Sequence, residues 1–174
     1  MLDIENYSYI DGQRIYLKNV SVENANDIFE YCSDEETVKF LDFEIHKTIE
    51  DTLFAIKNYF ILSPFGKYGI FLKENDKLIG TIDIRLNNNK KSNFGWVINK
   101  KYQKKGYCSE AVNTLISFYT KKISIKELYA IHEIGNVASE KVMDKCGFKK
   151  LNVYRTELIN NRERKMCIHK ILIS

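Results

Sequence analysis

Polar and apolar residues alternate through Arg14-Ile15-Tyr16-Leu17-Lys18, the period of a strand with one buried face. From Ser21 the period changes. Val22, Ala25, Ile28, Phe29 and Cys32 recur at helical spacing behind a serine suited to cap a helix. Residues 34–40 fit a second short helix. Thr48 and Asp51 form a capping-box pair, and the helix they open carries Ile49, Leu53, Ile56 and Phe60 on one face. Ser63-Pro64-Phe65-Gly66, with the chain's only proline, ends that helix in a turn. Strand-like runs follow at residues 68–73 and 78–86, joined by the polar Glu74-Asn75-Asp76-Lys77. After a polar loop at 87–92, residues 93–98 read as a further strand. A helix opening at Ser109 buries Ala111, Val112, Leu115, Ile116 and Tyr119, and residues 128–133 form the next strand. Asn136 caps a short helix bearing Ala138, Val142, Met143 and Cys146, which Gly147 stops. Two last strands flank Asn160-Asn161, a pair that accepts the positive φ of a tight hairpin.

This order of elements predicts a mixed α/β (α+β) fold, with about seven mostly antiparallel strands and helices over both faces of the sheet. No Gly/Ser-rich linker, repeat or low-complexity tract interrupts the 174 residues, so one continuous domain is expected.

Between the strand at 93–98 and the following helix lies Gln103-Lys104-Lys105-Gly106-Tyr107-Cys108. A strand entering a glycine turn and then a helix gathers backbone N–H groups at one spot, where the helix dipole is positive. Gly106 permits close approach, and Lys104 and Lys105 add charge. The arrangement suits a phosphate. The net charge of +4 is mild and spread along the chain, which favours anionic small ligands over a nucleic-acid surface. Eleven Tyr and ten Phe fall mostly at core spacing, so packing explains them better than base stacking. Cys32, Cys108, Cys146 and Cys167 are scattered, without a C-x-x-C pair or accompanying histidine spacing. They read as buried free thiols, and no metal is expected. No apolar run reaches the roughly 18 residues that span a membrane, and the N-terminus lacks a signal-peptide pattern, so a cytoplasmic protein with no membrane partner is expected.

About thirty residues beyond the glycine turn stands a second block, Asn136-Val137-Ala138-Ser139 followed by Cys146-Gly147-Phe148. With both blocks present, the chain resembles the Gcn5-related N-acetyltransferases (GNAT) in their RimJ/RimL-like branch. The ungapped run from Gly95-Trp96-Val97-Ile98 to Gly106-Tyr107-Cys108-Ser109-Glu110-Ala111 carries the resemblance. So do Gln13-Arg14-Ile15-Tyr16-Leu17, Phe40-Leu41, and Tyr154-Arg155 with the Asn160-Asn161 hairpin.

The resemblance implies acetyl-coenzyme A as cosubstrate, its pyrophosphate held by main-chain N–H groups of Lys104, Lys105, Gly106, Tyr107, Cys108 and Ser109, behind Gln103. The strand before the loop would splay from its neighbour, so that Val97 and Ile98 pair with the pantetheine arm. Asn136 would bond the far part of that arm, and Ser139 would lie near the thioester sulfur. A tyrosine acid stands seven residues after the asparagine in some relatives; here Met143 cannot give a proton, which leaves Ser139 as the nearest hydroxyl. Coenzyme A thiolate also leaves tolerably unaided. A backbone N–H near Val97 or Ile98 would serve the oxyanion. Glu133 and Asp83 are the candidate bases, with His46 and His132 as further titratable groups. Asp83 reads as a solvated carboxylate on a half-exposed sheet, able to meet substrate together with His46. The carboxylate frequent before the motif strand is replaced by Asn93, and Arg162-Glu163-Arg164-Lys165 reads as a solvated turn.

The acceptor implied is a primary amine: a protein or peptide N-terminal α-amine first, and a polyamine, amino acid or aminoglycoside next. Residues 41–48 and 87–92 would shape that choice. A homodimer through a sheet edge is compatible with the family, and no DNA partner is expected. Two readings from other classes stand beside the enzyme. Met143 suits a catalytically silent acyl-coenzyme A sensor, and the positive charge suits, less well, a nucleic-acid-binding module.

Overall fold

The strands of the computed structural model, which describes residues 7–86, 91–123 and 125–173, form one eight-stranded sheet in the order β1-β2-β3-β4-β5-β6-β8-β7. They are β1 Tyr9–Asp11, β2 Ile15–Lys18, β3 Lys67–Leu72, β4 Leu78–Leu86, β5 Lys91–Ile98, β6 Glu127–Glu133, β7 Lys149–Ile159 and β8 Arg162–Leu172. Neighbours pair antiparallel except β5 with β6. The strand beyond the expected seven is β1, three residues laid along the outer edge of β2. The helices are α1 Ala25–Cys32, α2 Glu35–Val38, α3 Ile49–Ala55, α4 Tyr107–Lys122 and α5 Val137–Lys145.

Local chemistry sets their ends. Asp34 accepts from the Thr37 N–H at 2.9 Å and starts α2. Thr48 and Asp51 cap α3 reciprocally, as their spacing predicts. Beyond Ala55 the helix widens into a π turn, Ile56–Ile61, closed by the Leu62 N–H on the Lys57 carbonyl at 3.1 Å. α4 begins two residues before Ser109, because Gly106 at φ 86° is the left-handed residue from which the helix departs. Asn160 and Asn161 take φ 51° and 56°, the signature of a type I′ hairpin between β7 and β8.

Alternate residues of the strands feed two cores, one on each face. Ile15, Leu17, Ile70 and Ile82 pack with Ala111, Val112, Leu115 and Tyr119 of α4 and with Met143 of α5. Phe71 and Leu78 face the other way, onto Ile28, Tyr31, Cys32 and Ile56. The buried hydroxyls of Tyr68 and Tyr119 satisfy each other at 2.8 Å. Among the described residues no helix is long and apolar enough to cross a membrane.

The sheet is not uniformly closed. β5 pairs with β6 only from Lys91↔Glu127 to Phe94↔Ala130. Past that point β5 stays with β4 up to Ile98↔Gly80, while β6 stays with β8 up to Glu133↔Met166. The two halves of the sheet therefore diverge from Gly95 onward.

Candidate active site

Two positive-φ residues shape the turn ahead of α4, Lys104 at 61° and Gly106 at 86°. They aim successive amides at one concavity, and the first-turn N–H groups of Tyr107, Cys108 and Ser109 have no acceptor within the helix. A Cβ built on Gly106 would meet only cationic tips, Arg14 Nη2 at 3.4 Å and Lys145 Nζ at 3.7 Å. Free donors, a helix N-terminus and flanking cations make this concavity fit for a phosphate. From it a cavity of about 650 Å³ runs past Gln103, Lys104, Tyr107 and Cys108 to Trp96, Val97, Ile98, Asn136 and Ser139. Lys105 is not on its wall, and its ammonium lies over the Tyr102 ring at 5.4 Å.

Glu110, in the first turn of α4, anchors the loop. Its carboxylate accepts the Arg14 N–H at 2.6 Å, the Ile15 N–H at 3.2 Å and Arg14 Nε at 2.8 Å. Arg14 Nη1 in turn donates to the Lys105 carbonyl at 3.2 Å. Burial pushes the Glu110 carboxyl up, but the Arg14 bonds and charge prevail and hold it below the ordinary carboxylate range. Glu110→Gln keeps the shape and loses the charge, so it should cost about 1–2 kcal/mol in denaturant unfolding at neutral pH. The sign follows from the depressed pKa: Glu110's contribution is present above its unfolded-state value and lost as pH falls through the folded one. Wild type and variant should therefore converge in acid, and a pH-independent difference would contradict this account.

Backbone parity decides which groups enter the diverging sheet. The Asn99 N–H donates to the Ile79 carbonyl at 2.9 Å, and this fixes the alternation along β5. Val97 and Gly95 therefore spend their backbone groups on Thr81 and Asp83 of β4, while Trp96 and Ile98 point theirs into the opening. The expectation for Val97 is corrected on this point, since its amide faces β4; the amides that face the opening are those of Trp96 and Ile98. The Ile98 carbonyl accepts from Gln103 Nε2 at 3.0 Å, so Gln103 braces the strand end rather than reaching outward.

On the far wall, Asn136 lines the cavity and caps α5 by accepting the Ser139 N–H on Oδ1 at 3.1 Å, a bond in which its Nδ2 takes no part. The Ser139 amide is thus satisfied by its neighbour, and Ser139 itself lines the cavity. Met143 is only 1% exposed and packs in the core. Burial pushes the Cys108 thiol well up from its ordinary value, so it stays protonated beside the loop.

A second cavity, about 440 Å³, opens on the other side of β5. Leu41, Trp96 and Val97 line both cavities and form their shared wall. Asp83 and His46, both expected to meet substrate, stand on this second wall with Tyr59, Phe43 and Thr81. The solvated reading of Asp83 is corrected, because the π turn swings Tyr59 over it and buries it. Tyr59 Oη donates to Asp83 Oδ2 at 3.0 Å, and Arg85 Nε lies 2.9 Å from the same oxygen. Oδ1 rests against Gly95, where any Cβ would collide with it. Burial raises the Asp83 carboxyl above its ordinary value, against the opposing pull of Arg85 and Tyr59. His46 Nδ1 meets Thr52 Oγ1 at 2.8 Å, and burial lowers the imidazole's pKa.

The other two titratable candidates lie elsewhere. Glu133 lines neither cavity. Its carboxylate is paired with Arg162 and lies 3.5 Å from Arg164 Nη1. Standing outside both cavities, Glu133 is not brought to the groups that line them. Arg164, read from sequence as part of a solvated turn, is buried and donates to the Leu41 carbonyl at 2.9 Å. That bond ties β8 to the segment walling both cavities. His132 faces the core, beside Cys167 and His169. The expectation that the cysteines stand clear of histidine is corrected at Cys167, since strand pairing supplies a neighbour that linear spacing does not show. Residues 87–90, part of the loop expected to shape acceptor choice, lie outside the described residues.

The family model of the acetyltransferase (GNAT) domain matches residues 14–149, which span β2, the glycine turn and α5. The chain belongs to the GNAT acetyltransferase family. It is an enzyme of the acyltransferase class. Over 148 residues this GNAT protein is 25% identical to the uncharacterized N-acetyltransferase YnaD of Bacillus subtilis (strain 168), covering 84% of this chain and 86% of that one. Its fold matches a GNAT-family acetyltransferase from Bacillus anthracis at TM-score 0.85 and 23% identity, over 94% of this chain and 98% of that one. It also matches RimL, the ribosomal L7/L12 α-N-protein acetyltransferase crystallised with coenzyme A. There the TM-score is 0.82 at 16% identity, over 95% of this chain and 98% of that one.

Proposed function

We propose that the enzyme moves the acetyl group of acetyl-coenzyme A directly to a primary amine, with a protein or peptide N-terminal α-amine as the leading acceptor class. The observation that carries this reading is that the two cavities share the wall of Leu41, Trp96 and Val97, beside the unpaired backbone of β5. One cavity ends in the phosphate-fitting loop, and the other holds the buried carboxylate.

Acetyl-coenzyme A, when bound, supplies the acetyl group as a thioester. The amides from Lys104 to Ser109 would hold its pyrophosphate, and Asn136 Nδ2 and the free groups of Trp96 and Ile98 would orient the arm. Those same β5 N–H groups are the donors available to a carbonyl oxygen gaining charge. Asp83 accepts the proton that an ammonium must shed, directly or through water; its raised pKa moves it toward that task. Ser139 is the proton donor available to the departing sulfur.

The second cavity's walls are mostly aromatic and aliphatic, with Asp42 and Asp83 the carboxylates on them. A single cationic centre on an apolar body suits that lining better than a polyamine does. RimL, an α-N-protein acetyltransferase, offers the same acceptor chemistry as a precedent.

The test is thiol release from acetyl-coenzyme A against a panel of peptides, polyamines, amino acids and aminoglycosides. Release that depends on peptides with free N-termini, and stops when they are blocked, supports the reading. Binding without release for every amine would favour the acyl-coenzyme A sensor, which the buried Met143 suits. Ser139→Ala should lower kcat by ~10²-fold with coenzyme A affinity unchanged. An unaltered kcat would leave Ser139 only its place in the first turn of α5.

A further inference from the structure

We infer that His132, Cys167 and His169 form a buried binding site for a borderline-soft divalent cation, zinc(II) foremost. The three stand on the face of the sheet that α5 covers: His132 on β6, Cys167 directly opposite on β8, and His169 two residues further along β8. One ligand atom from each, imidazole nitrogen or thiol sulfur, lies within 4.8 Å of the others. They are 5%, 0% and 0% exposed.

What points to a ligand is the state of the nitrogens. His132 Nε2, His169 Nδ1 and His169 Nε2 are all buried without a hydrogen-bond partner. An imidazole sealed in a core with both nitrogens unanswered is costly, and such a group calls for an ion or water. His132 is tethered for the role: its Nδ1 lies 2.9 Å from the Glu133 carbonyl and donates there, which leaves the lone pair on the unpartnered Nε2. A backbone carbonyl behind a histidine is the usual support of a metal ligand.

Two imidazoles and a thiolate make a nitrogen–sulfur set that suits zinc and disfavours the hard ions calcium and magnesium. Around a tetrahedral ion with bonds of about 2.0–2.3 Å, donor atoms sit roughly 3.5 Å apart, so a small rotation of the rings closes the present spacing. On binding, the metal–sulfur bond forms as the Cys167 S–H bond breaks, and the proton leaves to solvent. The fourth position falls to water or to Glu140. That α5 carboxylate interacts electrostatically with both histidines and is now held by Lys150 Nζ at 2.7 Å. Thiolate and Glu140 together would balance the ion's charge.

The untagged full chain, stripped with chelator, should take up one cobalt(II) ion with a thiolate-to-metal charge-transfer band. Zinc should bleach that band stoichiometrically and raise the melting temperature. Cys167→Ser should abolish the band, and His169→Gln should weaken uptake at least ~10-fold. No band in wild type, or a band that survives Cys167→Ser, overturns the site. Should either variant fail to fold, X-ray absorption of the zinc-loaded wild type decides: one sulfur and two imidazole nitrogens uphold the proposal, and any sulfur-free shell refutes it.

Discussion

Gly106→Glu should abolish coenzyme A binding in a chain that still folds. The backbone there is left-handed, so any side chain costs about 1–2 kcal/mol locally, which a core of this size can absorb. The carboxylate matters more. It would project beside Arg14 and Lys145, the two cations near Gly106, and place negative charge at the N-terminal amides of α4, the proposed phosphate site. Loss of at least ~10²-fold in affinity is expected, about 2.7 kcal/mol, read by calorimetric titration with coenzyme A alone. Gly106→Ala shares the backbone strain without the charge, so it should fall well short of that loss. Wild-type affinity in a folded Gly106→Glu protein would remove the loop from the site.

Asp83→Asn should cost ~10³-fold in kcat while leaving coenzyme A affinity intact. The wild-type rate should rise with pH as the buried carboxyl ionises, above the ordinary carboxylate range, and the variant should lose that limb. Stability moves in the opposite sense. Because the folded-state pKa is raised, the contribution of Asp83 is full below its unfolded-state pKa and is lost as pH rises through the folded one. Asn carries no such penalty, so the variant should match or exceed wild-type stability near neutrality. A variant as active as wild type, or one with the same pH profile, would strike Asp83 from the mechanism.

Much of the frame was legible because it is local. The Thr48 and Asp51 cap, the Asn160-Asn161 hairpin and the strand into the glycine turn each depend on residues within a few positions of one another. The residues of the glycine turn and of the Asn136 to Ser139 block likewise announced a site, and the structure brings both to one cavity. What escaped is set by long-range packing. Three residues of β1 carry too little periodicity to be seen. Asp83 looked solvated because nothing nearby in sequence says that a π turn will lay Tyr59 across it. Glu133 looked free because its guanidinium partners arrive from β8, about thirty residues later. Which of Val97 and Ile98 keeps its amide depends on pairing parity, settled only by the register against β4. His132 and Cys167 meet across strands whose separation in sequence hides them from any spacing rule.

The divergence of β5 from β6 leaves an open edge inside the sheet. Beyond Phe94 and Ala130 the two flanks of the molecule are no longer laced together there by backbone bonds. If the donor lies along that edge as proposed, it would in effect be a borrowed strand, one that the chain itself does not encode. Protein saturated with such a guest at a hundredfold excess over Kd gains about 2.7 kcal/mol against unfolding. The enzyme's resistance to unfolding would then rise and fall with the concentration of that donor.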